Sequence, residues 1–287
     1  MLLSYLGMLA AHRRTHRVAH AGAIALIACF AAQGAQDIAP DTAEQARMLD
    51  AMRLYAGQYI ANLPNFICDQ VMRQYEAGRK AKRWHTGDVL TSKLLFNSGH
   101  EERNLELVND KPVRPGIRRW HTPLQTEGEF GILLDRVFTS ASQASFAWKS
   151  WDVIRGQRVA VFTFVIDAEH STMTLRLSDL AKATVAYHGT VYADPESGAI
   201  WRITDGATEL PEELRTKSIA TAIDYDRVPI AEKSYLLPVQ ATIWMTTDNN
   251  NVRNELEFRN YRKFETDSVI RFASAGEPAS SPGDPKD

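Results

Sequence analysis

The alternation of apolar and polar side chains in the last third of the chain constrains the fold more than any other feature. Across residues 235–245, Tyr235, Leu237, Val239, Ala241, Ile243 and Met245 share one face, and Ser234, Gln240, Thr242 and Thr246 share the other. After the turn-forming Asp248-Asn249-Asn250-Asn251, the pattern resumes. Val252, Leu256, Phe258 and Phe264 oppose Arg253, Glu255, Glu257, Arg259 and Lys263. A period of two is the signature of a strand, and one dry face with one wet face belongs to an antiparallel sheet. Residues 158–167 differ, with Val159, Val161 and Val165 on one side and Phe162, Phe164 and Ile166 on the other. That strand is expected to be central and covered on both sides.

The rest of the chain supplies more strands and two helices. Residues 42–61 carry Ala46, Leu49, Met52, Ala56, Tyr59 and Ile60 at helical spacing, with Asp41 or Thr42 as cap and Asn62 and Pro64 as stop. Phe130, Leu133, Leu134 and Val137 predict a short helix over 129–138. Strands are expected at 65–75, 84–96, 102–108, 145–154, 158–167, 171–178, 184–193, 201–204, 218–228, 234–247, 252–264 and 269–272. Residues 158–167 and 171–178 read as a hairpin, as do 184–193 with 201–204 and 218–228 with 234–247. Residues 113–128 read as loop. About ten strands in one sheet curl or split. The expected fold is therefore mainly β with α: a curled antiparallel sheet, a half-barrel, packed on an N-terminal helix and one short helix.

The N-terminus reads as an export signal. Arg13, Arg14 and Arg17 precede an apolar run over 21–32, and small residues follow in Ala32-Gln33-Gly34. The run is shorter than the roughly 20 residues that span a bilayer. Cleavage after Gly34 leaves a soluble protein starting at Ala35. Leu26-Ile27-Ala28-Cys29 also resembles a lipobox, in which Cys29 carries lipid and anchors the protein to a membrane. The expected organisation is a signal over 1–34, one β-rich domain over 35–272 and a disordered tail over 273–287. The tail is rich in Pro and Gly and nearly free of large apolar residues. The expected location is the periplasm or cell envelope.

Charge and cysteine content narrow the function. Without its three leader arginines the chain's 33 basic residues fall to 30, against 35 acidic. That balance argues against nucleic acid, whose phosphates need a basic footprint. Lys111, Arg114, Arg118, Arg119 and His121 form the one local basic group, and it reads as a solvated loop. Cys68 stands alone in the mature chain, apart from a lipidated Cys29, so there is no disulfide framework. Its strand-like setting reads as a buried thiol.

Tyr187-His188-Gly189-Thr190-Val191-Tyr192-Ala193-Asp194-Pro195-Glu196-Ser197-Gly198-Ala199-Ile200-Trp201-Arg202-Ile203 resembles the G-x-V-x-x-D-x-x-(T/S)-G-x-I-x-R-I hairpin of LolA-like periplasmic lipoprotein carriers and of sensor domains with that fold. Ile223-Asp224-Tyr225, Tyr235-Leu236-Leu237-Pro238 and Asn260-Tyr261-Arg262-Lys263-Phe264 resemble features of exported bacterial proteins of similar look. The resemblance implies a half-barrel with helices on its concave face and an acyl chain or apolar peptide as ligand.

Catalytic patterns are missing from the sequence. There is no G-x-S-x-G, H-E-x-x-H, phosphate loop or C-x-x-C. His85, His100, His121, His170 and His188 are scattered, and neither a metal nor a cofactor is expected. Asp194 and Glu196 sit in a turn, and Asp224 and Asp226 read as wet-face residues. The six tryptophans, Trp84, Trp120, Trp148, Trp151, Trp201 and Trp244, serve equally in cores and in apolar cavities. Trp148, Trp201, Leu237 and Ile243 are the candidate cavity-lining residues. Three readings stay open: a non-catalytic binder of lipid or a lipoprotein acyl chain, an envelope interaction or sensor module without a cavity, and a hydrolase with a dispersed site.

Overall fold

A computed structural model describes residues 38–81, 83–114, 129–176, 182–207 and 210–264. The expected export segment with Cys29, nearly all of the 113–128 loop, the 269–272 strand and the tail lie outside the described residues.

Helix α1 is Thr42–Asn62. The Asp41 side chain caps it, accepting a hydrogen bond from the Glu44 backbone N–H at 2.8 Å. Leu63, extended as a residue before proline must be, ends it. Met48, Met52, Ala56 and Tyr59 form its buried face. Ala46, expected on that face, is exposed, because the stripe begins half a turn later. Helix α2 is Ile132–Phe138, shorter than the expected 129–138. Gly131 stops it from starting earlier, with φ of 114°. A Cβ there would stand 2.6 Å from Ile60 of α1, so the glycine also lets the two helices meet.

The strands are β1 (Phe66–Gly78), β2 (His85–Asn97), β3 (His100–Val108), β4 (Lys111–Pro112), β5 (Ser145–Ile154), β6 (Gln157–Ile166), β7 (Thr174–Arg176), β8 (Lys182–Thr184), β9 (Tyr187–Ala193), β10 (Ile200–Ala207), β11 (Thr216–Ile230), β12 (Lys233–Thr247) and β13 (Asn250–Lys263). Eleven of them make one antiparallel sheet in the order β4-β3-β2-β1-β13-β12-β11-β10-β9-β6-β5. The sheet stays open, with β4 and β5 at its edges. Leu94 and Phe96 of β2 nevertheless share one core with Phe162 and Phe164 of β6 and with both helices. Strands so far apart in the order can do this only in a curled sheet, with the helices on its concave side.

The expected hairpin between 158–167 and 171–178 does not form. β6 pairs with β5 and β9, and β7 pairs with β8 in a separate two-stranded ribbon. A strand apolar on both faces is better placed with a neighbour on each side. β6 is covered on both faces only in its first half. There Val159 and Val161 join Ile154 and Trp201 in a second small cluster, while Val165 is exposed.

The β9–β10 hairpin forms as expected. The Asp194 side chain accepts hydrogen bonds from the Glu196 and Ser197 backbone N–H groups and from the Ser197 hydroxyl, at 2.8–3.1 Å. Its Gly198 has φ of 69°, and a Cβ there would stand 2.2 Å from the carbonyl carbon of Ala51. The turn is thus pressed against the backbone of α1, and Arg47 donates to the Pro195 carbonyl oxygen at 3.4 Å. Gly198→Ala is expected to destabilise the fold by more than about 1 kcal/mol, through both positive φ and the clash. Hydrogen exchange should locate the loosening in α1. Unchanged protection of α1 would show the turn and helix to be uncoupled.

On β12 the expected dry face holds Leu237, Ala241, Ile243 and Met245 in the core, with Tyr235 and Val239 half-buried beside a register shift. Leu237→Asp should prevent folding or nearly so, since it buries an unpaired charge. Thr242→Asp, on the wetter face, should cost under about 1 kcal/mol, mostly from Glu255 directly opposite. Urea unfolding of the two variants checks the register; equal tolerance would invert it.

Candidate functional site: a cavity on the concave face

The curled sheet and α2 line a half-open cavity of about 300 Å³. Its floor is strand β10 with Asp205 and Gly206, β11 with Ile219, Ala220, Thr221 and Ile223, and β12 with Ala241 and Ile243. Leu133 and Arg136 of α2 roof it, with Glu129 just before that helix. Met173, Thr174 and Leu175, leading into and along β7, close another side. The floor follows from strand phase: Ile203, Asp205 and Ala207 alternate inward along β10, and Thr221 and Ile223 along β11.

Polar groups sit inside this apolar shell. Asp205 is 7% exposed and pairs across the strands with Thr221. Thr221, facing it from β11, favours the charged form of its carboxyl group. Among the described residues Asp205 Oδ1 has no hydrogen-bond partner. Burial raises its pKa from 3.8 to about 6, against the pull of Thr221 and Arg136. Glu129 is also buried, and its Oε2 accepts from Arg103 Nη2 at 3.1 Å. Tyr187, whose hydroxyl donates to the Arg136 carbonyl oxygen at 3.4 Å, titrates near 12 through burial and the charge of Asp205.

The polarity continues across the sheet. Cross-strand pairing runs Asp205–Thr221–Ile243–Asn254–Gln74, from β10 to β1. Asn254 and Gln74 are buried, as are the paired Gln70 and Ser92 of β1 and β2. The Nε2 atoms of Gln70 and Gln74 have no partner among the described residues. Most buried polar groups are hydrogen-bonded, so the concave face is polar well beyond what its own packing needs.

Of the sequence candidates, Ile243 lines the cavity. Leu237 is in the main core but not in the cavity wall. Trp148 packs edge-on against Trp151 and Phe162 at 5.0 and 5.3 Å, nearer the β5 edge. Trp201 lies in the second cluster, with the Arg227 guanidinium 6.0 Å from its ring centre. A register shift between Ile200 and Arg202 turns Trp201 away from the cavity side. Asp224 and Asp226 bind Arg202 and Arg155 at 2.5 and 3.2 Å. Cys68 is buried and pushed up to about 12 by burial, then by the charge of Asp69. Asp205 was not among the candidates, because 201–204 ended the expected strand one residue too early. Its phase with Ile203 and Ala207 was the available signal.

Because its pKa is raised on folding, Asp205 holds its proton more tightly in the folded chain. Its cost to stability is absent below about pH 4 and grows as pH rises towards 6. Above that it levels at about 3 kcal/mol. Asp205→Asn is expected to raise the melting midpoint by several degrees at pH 8, and by about half as much at pH 5. Melts of both proteins at the two pH values check this; equal shifts would mean that folding does not raise the carboxyl's pKa.

No family model matches the chain, and no curated protein matches it. Among solved structures it is similar to a LolA superfamily protein from Nitrosomonas europaea, with 7% identity and a TM-score of 0.39, over 76% of this chain and 94% of that one. It is similar to a DUF1329 family protein from Desulfovibrio piger, with 7% identity and a TM-score of 0.35, over 76% and 92%. It is also similar to the lipoprotein LppX of Mycobacterium tuberculosis, with 13% identity and a TM-score of 0.24, over 76% and 93%. These likenesses concern layout, and the curled sheet with helices on its concave face is read from this chain's own strand order and core.

Proposed function

We propose that this is an exported, non-catalytic protein of the cell envelope that binds an apolar ligand of lipid or acyl-chain type between α2 and the sheet. The cavity carries this reading. Its volume of about 300 Å³ lies at the lower end of the range for ligand sites. Leu133, Met173, Leu175, Ile219, Ile223, Ala241 and Ile243 make most of its wall apolar. Export follows from the basic, apolar and small-residue order of the first 34 residues, with Cys29 as the point of attachment if lipid is added there. Among the described residues no helix is long and apolar enough to cross a membrane.

Mass spectrometry of lipid extracted from the natively exported protein should find a bound acyl compound. Ile243→Trp and, from the opposite wall, Leu133→Trp should each fill the cavity. Both should cut uptake of an apolar fluorescent dye by about ten-fold or more while far-ultraviolet circular dichroism stays unchanged. Undiminished uptake in two folded variants would place the dye elsewhere and remove the cavity reading.

A further inference from the structure

We infer that the ligand taken into this cavity bears a hydrogen-bond donor, a hydroxyl or an amine, that meets Asp205. This rests on the proposed binding function and names the polar chemistry of the ligand. An apolar chain alone would not call for a carboxyl group in the floor of its pocket. Asp205 is more than nine-tenths buried, lines the cavity, and has Oδ1 without a partner among the described residues. No donor of the wall reaches Oδ1: the Tyr187 hydroxyl is given to the Arg136 carbonyl oxygen, and the Arg136 guanidinium lines the cavity without a hydrogen bond to the carboxyl. Glu129, the other acid of the wall, is held by Arg103. What remains in the pocket is an acceptor that wants a proton donor. A buried unmet acceptor is costly, and a ligand donor would remove that cost. The same feature discriminates against a free fatty acid, whose carboxylate would face a like charge. Arg136 also lines the cavity but is half-exposed, so its attraction for an anion is weakened by water.

The test uses the purified protein loaded with N-phenyl-1-naphthylamine and displaced by three probes of equal chain length: decan-1-ol, decylamine and decanoate. The alcohol or the amine, or both, should displace the dye at about ten-fold lower concentration than decanoate. Asp205→Leu should keep dye binding and erase that gap. Asp205→Asn, which retains an acceptor without the charge, should keep the alcohol's advantage and lose the amine's. The leading probe tells a neutral donor from a cation, and either supports the inference. Decanoate binding as tightly as the others, or a gap that survives in a folded Asp205→Leu, overturns it while leaving the cavity function standing. Failure of the dye to bind the unaltered protein overturns both.

Discussion

A long antiparallel sheet with one apolar face cannot stay flat and uncovered in water. Strand twist accumulates across many strands, and the dry face must be buried against something. Here the sheet curls without closing, and one amphipathic helix fills much of the curve. Met48, Met52, Ala56 and Tyr59 of α1 are the side chains that do so. Tyr59 also donates its hydroxyl to the Leu236 carbonyl oxygen at 2.8 Å and meets Tyr225 edge-on, which ties the helix to the middle of the sheet. The Asp194–Gly198 turn grips the same helix from another side. The position of α2, and so the height of the cavity roof, follows from how closely Gly131 allows it to approach Ile60.

The architecture was legible because it rests on periodicity. Period two in 234–247 and 252–264, a 3.6-residue stripe in 42–61, and turn chemistry at Asp194 are local signals, and each matches an observed element. The resemblance of residues 187–203 to a LolA-like hairpin also falls on a real hairpin. Pairing between distant strands was less accessible. Nothing in β6 itself distinguishes a neighbour at 171–178 from the β9 it actually joins, because an apolar strand fits any dry surface. The cavity was harder still. Burial of Asp205 and Gln74 depends on strand phase carried through to the final residues. Asp205-Gly206 resembles the end of a strand, so the inward carboxyl fell outside the expected element. Trp201 shows the opposite failure: its size suggested a cavity wall, and a one-residue shift in β10 turned it away.

The concave face gives up some stability for buried polarity. A core built only for packing would carry leucine or isoleucine at positions 70, 74, 205 and 254. Four buried polar side chains there weaken the fold, since each gives up water and not every atom regains a partner. Their cross-strand arrangement concentrates this on one band of the sheet, while the aromatic layer of Phe66, Phe96, Phe130 and Phe258 remains densely packed beside it. Dense aromatic packing and buried polarity thereby occupy different parts of one surface.

An open sheet must also end somewhere, and each end exposes backbone donors and acceptors that could recruit a strand from another molecule. At one edge, β4 is only two residues long, and Pro112 has no N–H to offer. At the other, β5 is ten residues long and more dangerous. A register shift between Trp148 and Ser150 breaks its regular outline, and exposed Lys149 and Asp152 place charge along it. Trp151 Nε1 donates to the Ile38 carbonyl oxygen at 3.0 Å, so the segment before α1 also lies against this edge. A half-barrel gains an accessible interior by staying unclosed, and the cost is two rims whose backbone groups must be kept from recruiting a strand from outside.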